Sequence, residues 1–327
     1  MNALVKQALD GSRPALARLI TLIENETPAG LEALDALAKR AGAAHIVGIT
    51  GPSGSGKSSL VNRLAPALAA RLPSETSNKV AVIAVDPSSP FSGGALLGDR
   101  VRMASLASDP GIFMRSMATR GALGGLARAA YGAVEALDAA GFAWILIETV
   151  GAGQSEVEIA RLAHTTLVLE APGLGDDVQA AKAGILEIAD ILAVNKADQP
   201  GAEAAERALR AMLEIGHELR LPDPNAWQVP VLRVSALEGE GVQALADALQ
   251  AHAAWLARTG GKTARDMARI DGLFEAALRA ELWQDMIASL PKNILQRARR
   301  SAEERHVSPR QAARRLLARY HPGSAPE

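Results

Sequence analysis

Gly51-Pro52-Ser53-Gly54-Ser55-Gly56-Lys57-Ser58 matches G-x-x-x-x-G-K-[ST], a spacing suited to a chain of phosphates. Glycine at 51, 54 and 56 lets the backbone curl until successive N–H groups converge on a β-phosphate. The positive end of the following helix reinforces that field. Lys57 places a point charge on the β- and γ-oxygens, and the Ser58 hydroxyl suits Mg²⁺. The expected contact set is Gly51, Ser53, Gly54, Ser55, Gly56, Lys57, Ser58 and Ser59. An accidental glycine-rich turn is the bland alternative, but an apolar strand before the loop and a helix after it disfavour that.

A second phosphate-side element is Glu148-Thr149-Val150-Gly151, closing the apolar run Trp144–Ile147. An acid at a strand end with glycine three residues on has the layout of a γ-phosphate sensor: the acid reaches Mg²⁺ through water and the Gly151 N–H meets the phosphate. Asp86 closes another strand, and Asp99 sits in the glycine-rich stretch 93–102, which suits a loop that closes on the metal. A turn before Pro87 and a helix cap or a pair with Arg102 are the plain readings of these two acids. The expected metal set is Ser58, Asp86, Asp99 and Glu148.

Asn195-Lys196-Ala197-Asp198 follows the strand Ile191–Val194. Guanine presents N1–H and N2–H₂ side by side, and one carboxylate accepts from both; adenine lacks that edge. Asp198 supplies the acceptor, Asn195 contacts the base or braces the phosphate loop, and the Lys196 stem lies on the purine face. Val234-Ser235-Ala236-Leu237 fits a loop whose backbone N–H meets guanine O6. A surface turn and a common dipeptide are the competing readings. The nucleotide so read is GTP or GDP.

The elements that must hold these residues follow from periodicity. Apolar runs at 45–50, 80–86, 112–117, 142–150, 165–171, 191–196 and 229–236 predict strands. Helical patterns at 57–71, 123–140, 177–189, 202–219 and 242–257 separate most of them. Near-continuous apolar strands alternating with helices predict an α/β fold with a mainly parallel sheet flanked by helices. Two helical patterns precede the first strand, and a Gly260-Gly261 break precedes an all-helical tail. Ser308-Pro309-Arg310-Gln311 reads as a capping box that opens the last helix, with Ala312, Leu316 and Tyr320 as its apolar stripe. The expected division is 1–43, an N-terminal helical segment; 44–259, the nucleotide domain; and 260–327, a helical arm that packs on the main domain or on a second subunit.

Composition removes other classes. Lys and Arg total 35 against 36 Asp and Glu, so no global basic field holds nucleic acid or an anionic membrane. No apolar run approaches the roughly 20 residues of a spanning helix. Cysteine is absent, which excludes disulfides and thiolate chemistry. Asp10, Glu24 and the lack of an apolar leader predict a cytoplasmic protein.

Together these strings resemble the MeaB/ArgK-type P-loop GTPases, G-protein chaperones of adenosylcobalamin-dependent acyl-CoA mutases. The resemblance rests on residues 86–94, 97–100, 120–125, 148–155, 175–182 and 195–198, and covers most of the span from His45 to Ala236. It implies a Mg²⁺-dependent GTPase that binds a mutase, gates cobalamin delivery, and protects or reactivates the mutase. It further implies Asp99 and Glu148 in two switch loops, and a third switch from Gly175 to Glu187 with Lys182 coupling nucleotide state to the mutase. The arm would form a homodimer. The catalytic set so implied is Lys57, Asp99, Glu148 and Lys182, with Gln154 a candidate by position alone.

Three other readings compete. A nickel-insertion GTPase should carry Cys and His clusters, whereas the six histidines are scattered along the chain. A small-molecule kinase needs ATP selectivity, against which Asp198 speaks. The arginine-rich tail suggests nucleic acid, but no aromatic residues interleave the basic ones.

Overall fold

A computed structural model of the chain describes residues 3–76, 78–87, 106, 109–119, 125–149, 155–173, 187–218, 225–318 and 320. By contact density the chain divides into two units, Met1–Asp266 and Met267–Glu327.

In the first unit, seven strands form one sheet: β1 (His45–Thr50), β2 (Val80–Pro87), β3 (Ile112–Thr119), β4 (Trp144–Thr149), β5 (Thr165–Glu170), β6 (Ile191–Val194) and β7 (Val231–Arg233). Their order is β3-β2-β4-β1-β5-β6-β7. Every described pairing is parallel, so all carboxyl ends share one edge of the sheet. The chain reverses its direction of growth at β1, which pairs with β4 on one side and β5 on the other. Ligands of open parallel sheets bind at such switch points.

Helices cover both faces, as the unbroken burial of β1, β4, β5 and β6 requires. On one face lie α1 (Ala3–Leu9), α2 (Arg13–Glu24), α3 (Pro28–Leu37), α5 (Gly125–Ala139) and α6 (Ser155–Leu162), sharing a core with Ile46, Ile83 and Ile145. Opposite are α4 (Lys57–Ala69) and α8 (Val242–Thr259), whose Leu60, Leu64, Leu245 and Leu249 pack with Val47, Val82 and Leu146. Helix α7 (Ala202–Glu218) covers β6 and β7 through Ala202 and Leu209. The short α1 was outside the two N-terminal helical patterns expected; seven residues hold too little periodicity to register. Ser12 caps α2 by accepting from the Ala15 amide, and Arg115 of β3 reaches back to Thr21 and Glu24 at 3.0 Å.

Two strands end well before the apolar pattern suggests. β6 stops at Val194 because Lys196 takes a left-handed φ of 58°. β7 keeps only three residues: Pro230 has no N–H for the ladder, and the residues after Arg233 turn away into a loop.

Gly260, at φ 76°, ends α8, and α9 (Gly261–Ser289) begins at once. In the second unit, α10 (Lys292–Glu303) packs against α11 (Pro309–Leu317). The expected capping box at Ser308 is present, with both the Ser308 and Gln311 side chains engaged. Leu282, Trp283, Met286, Leu295, Ala312 and Leu316 line a groove of about 560 Å³ there. No helix among the described residues is long and apolar enough to cross a membrane.

Candidate functional site

Four carboxyl-end segments build one site. The loop after β1 turns into α4 with Gly51, Gly54 and Gly56 all at positive φ. Two of these glycines are also steric necessities. A Cβ on Gly51 would lie 2.0 Å from the Leu169 carbonyl oxygen, and one on Gly56 would lie 2.3 Å from Asn195 Nδ2. Lys57 is buried at 6% exposure, and its ammonium donates to the carbonyls of Gly51 at 2.7 Å and Pro52 at 3.0 Å. The charge is thus held over the centre of the loop. Ser55 is buried, its hydroxyl without a hydrogen-bond partner among the described residues, while Ser53 and Ser59 are exposed.

Glu148 lies beside this loop because β4 pairs with β1 in a register that sets Ile49 against Glu148. Only 4% exposed, it accepts a 2.5 Å hydrogen bond from Ser58. A hydroxyl and a carboxylate in contact are two hard oxygen donors facing the phosphate loop, a set that fits Mg²⁺. Asp86 lies in β2, one residue before its end at Pro87; its side chain lies outside the described residues, as do Asp99, Gly151, Gln154 and Lys182.

The third segment follows β6. Asn195, 2% exposed, donates from Nδ2 to the Ser55 carbonyl at 2.8 Å and accepts at Oδ1 from the Ala236 amide at 3.0 Å. Of the two roles open to it, the structure shows the brace: one amide group stitches the phosphate loop to the loop after β7. Lys196, left-handed, turns the chain so that Asp198 is exposed. Ser235 is fully buried and donates to Asp198 Oδ1 at 2.6 Å, which orients the carboxylate.

The fourth segment, Ser235–Leu237, involves a residue that sequence reasoning missed. Arg63 of α4 donates through Nε to the Ala236 carbonyl at 3.3 Å and through Nη2 to the Leu237 carbonyl at 2.9 Å. Nothing in a helical sequence pattern marks an arginine two turns past the phosphate loop as a partner of a loop some 170 residues on.

This geometry has close kin. A family model described as "Methylmalonyl Co-A mutase-associated GTPase MeaB" matches residues 16–290. The chain belongs to the MeaB family of GTPases. A Pyrococcus abyssi protein whose name assigns it only to the GTPases is 40% identical over 317 residues, covering 97% of this chain and 96% of its own. The GTPase ArgK of Escherichia coli is 37% identical over 242 residues, or 73% of this chain and 71% of ArgK. A crystal structure of a LAO/AO transport system kinase superposes with a TM-score of 0.70 at 26% identity, covering 97% of this chain and 98% of that one. This MeaB-family member therefore binds guanine nucleotide and hydrolyses GTP.

The amino ends of the strands hold a second polar cluster, which the scattered histidines of the sequence concealed. Thr165 Oγ1 lies 2.7 Å from His45 Nε2 and 2.8 Å from His252 Nδ1. His252 Nε2 is 3.4 Å from Asp190, which accepts from Arg265 at 2.7 and 2.8 Å and from the Thr166 amide at 2.8 Å. His164 accepts from the Ile46 amide at Nδ1 and meets Asp266 at Nε2. Burial chiefly, with the neighbouring imidazoles and then Lys262 and Arg265, lowers His45 to about 2. Burial also lowers His252 to about 4, against the pull of Asp190. With its alcohol and imidazoles buried, this cluster is structural rather than a hydrolase triad.

Proposed function

We propose that this GTPase is a G-protein chaperone of an adenosylcobalamin-dependent acyl-CoA mutase, gating cofactor delivery and protecting or reactivating the mutase. The observation that carries the reading is the match to mutase-associated GTPases across residues 16–290. In this reading the phosphates lie along Gly51–Ser59, with Lys57 on the β- and γ-oxygens. Asp198 takes the N1–H and N2–H₂ edge of guanine, Lys196 underlies the purine, and Ser235, Ala236 and Leu237 form the O6 side. Ser58 and Glu148, with Asp86 and Asp99, would hold Mg²⁺, which when bound neutralises charge gathering on the phosphate oxygens. Asp99, Glu148 and Gly151 belong to the two switches, and Lys182 to the segment that reads nucleotide state to the mutase. A cytoplasmic location is part of the same proposal.

GTP turnover, measured with and without each candidate mutase alongside complex formation on a sizing column, tests the reading. Acceleration by one mutase and co-elution with it is the expected result. Unchanged turnover and separate elution with every mutase would leave the hydrolase without its proposed partner.

The homodimer, with residues 260–327 as its arm, belongs to this proposal as well. In the second unit α9 exposes Met267, Ile270, Phe274 and Leu278, spaced by three or four residues as one apolar stripe. Phe274→Glu with Leu278→Glu should give monomers by light scattering, and an unchanged mass would remove this stripe from the interface.

A kinase reading draws on the LAO/AO kinase likeness. ATP turnover exceeding GTP turnover, dependent on an added acceptor, would favour it.

A further inference from the structure

Arg63 is exposed and pairs with no carboxylate among the described residues; its guanidinium is committed to two successive carbonyls, Ala236 at 3.3 Å and Leu237 at 2.9 Å. A planar fork spanning two carbonyls fixes both peptide planes, which a single ammonium cannot do. The consequence lies on the opposite edge of each plane, because a trans peptide points its N–H away from its C=O. The Glu238 N–H, opposite the Leu237 carbonyl, donates to Ser235 Oγ at 3.1 Å. The Leu237 N–H, opposite the Ala236 carbonyl, faces away from Arg63 and has no partner among the described residues. The Ala236 N–H is already engaged by Asn195 Oδ1. Of the three amides of Ser235–Leu237, the Leu237 N–H alone is uncommitted among the described residues, on a residue 72% exposed.

We infer that Arg63 is a positioning residue for base selection: it orients the Ala236–Leu237 peptide so that the Leu237 N–H donates to guanine O6. The inference rests on Asp198 reading the guanine edge, as proposed above. The two arms of recognition are separable. Ser235, whose backbone is held by Gly239 and Glu240, orients Asp198 with no direct bond to Arg63, whereas the O6 donor is aimed from α4. Helix α4 packs on α8 through Leu60 and Leu64, and Arg71, just past its end, donates to Gln243 at 2.7 Å and pairs with Asp247 at 2.6 Å. Removal of Arg63 thus leaves the helix in place and frees the peptide plane.

The test uses the full chain and three probes: GDP; 6-thio-GDP, whose sulfur is a poor acceptor in place of O6; and IDP, which lacks the N2 amino group but keeps O6. Calorimetric affinities are compared for the wild type, Arg63→Ala, Arg63→Lys and Asp198→Ala. The wild type should favour GDP over 6-thio-GDP by about fivefold, the weight of one ordinary hydrogen bond. Arg63→Ala should bring that ratio to about one and leave the GDP-to-IDP ratio at its wild-type value; Arg63→Lys should fall between. An unchanged 6-thio ratio in Arg63→Ala, or equal weakening of all three nucleotides, overturns the inference and makes the contact merely structural. A wild type that does not distinguish GDP from IDP, with Asp198→Ala equally indifferent, overturns the base-site reading and the inference with it.

Discussion

The two ends of the parallel sheet carry polar clusters of opposite character. At the carboxyl end, Lys57, Glu148, Asn195 and Asp198 are oriented by neighbours, while the Asp198 carboxylate faces solvent and, among the described residues, the Leu237 amide and the buried Ser55 hydroxyl have no hydrogen-bond partner. At the amino end, His45, Thr165, His252, Asp190 and Arg265 bond chiefly to one another. The first cluster is incomplete in itself and therefore suits a ligand. The second is nearly closed on itself, with only His252 Nε2, 3.4 Å from Asp190, lacking a hydrogen-bond partner among the described residues, and it ties the first two turns of α9, through Lys262, Arg265 and Asp266, to the loop before β1 and the starts of β5 and β6. Polar residues at strand ends acquire opposite roles according to whether their hydrogen bonds are completed internally.

Substitutions at the two ends should separate activity from stability. Lys57→Ala should lower GTP turnover by roughly a hundredfold or more, as loss of a preorganised charge at the phosphates does. Its melting temperature is expected to hold. A large melting shift would mean that the lysine also supports the fold.

Asp190→Ala should do the converse. It strands Arg265 and the Thr166 amide and costs about 2–3 kcal/mol, the low end for a buried pair since Arg265 is 36% exposed. Thermal denaturation should move down by about 5–10 °C, with GTP turnover at 25 °C unchanged. A turnover loss matching that of Lys57→Ala would erase the distinction between the two ends.

Asp198→Ala should weaken guanine nucleotides by roughly tenfold to a hundredfold and reduce their advantage over adenine nucleotides, with stability unaffected. Equal retention of GTP and ATP affinity would show that the base is chosen elsewhere.

The smallest effect concerns pH. His252 and His45 have folded values of about 4 and about 2, both below the ordinary 6.5. The unfolded chain therefore takes up these protons first, and stability falls as pH drops below 6.5. For His252 the loss runs to about pH 4 and then levels; for His45 it continues towards about 2. Above pH 6.5 neither contributes any slope. In His252→Gln, denaturation midpoints should vary less between pH 6.5 and 4, and an unaltered slope would remove His252 from the titration.

What could be read from the chain depended on how local each signal was. The phosphate loop was legible because its glycines, lysine and serine are contiguous and their backbone demands are local. The strands were legible because double-sided burial leaves unbroken apolar runs. The ends of β6 and β7 were less so, since Lys196 in a left-handed turn and the departure of residues 234–236 answer to partners across the fold.

The amino-acid order by itself determined the α/β class, the phosphate loop and the acid near the end of β4, each encoded within about ten residues. The three-dimensional arrangement alone decided that Asn195 braces the loops, that Arg63 of α4 bonds two carbonyls of the loop after β7, and that three histidines far apart in the chain share one buried network. The physical reason is range: backbone conformation is set by near neighbours, whereas a side-chain hydrogen bond requires only proximity in space, and the pairing of strands supplies that between residues up to about 170 apart.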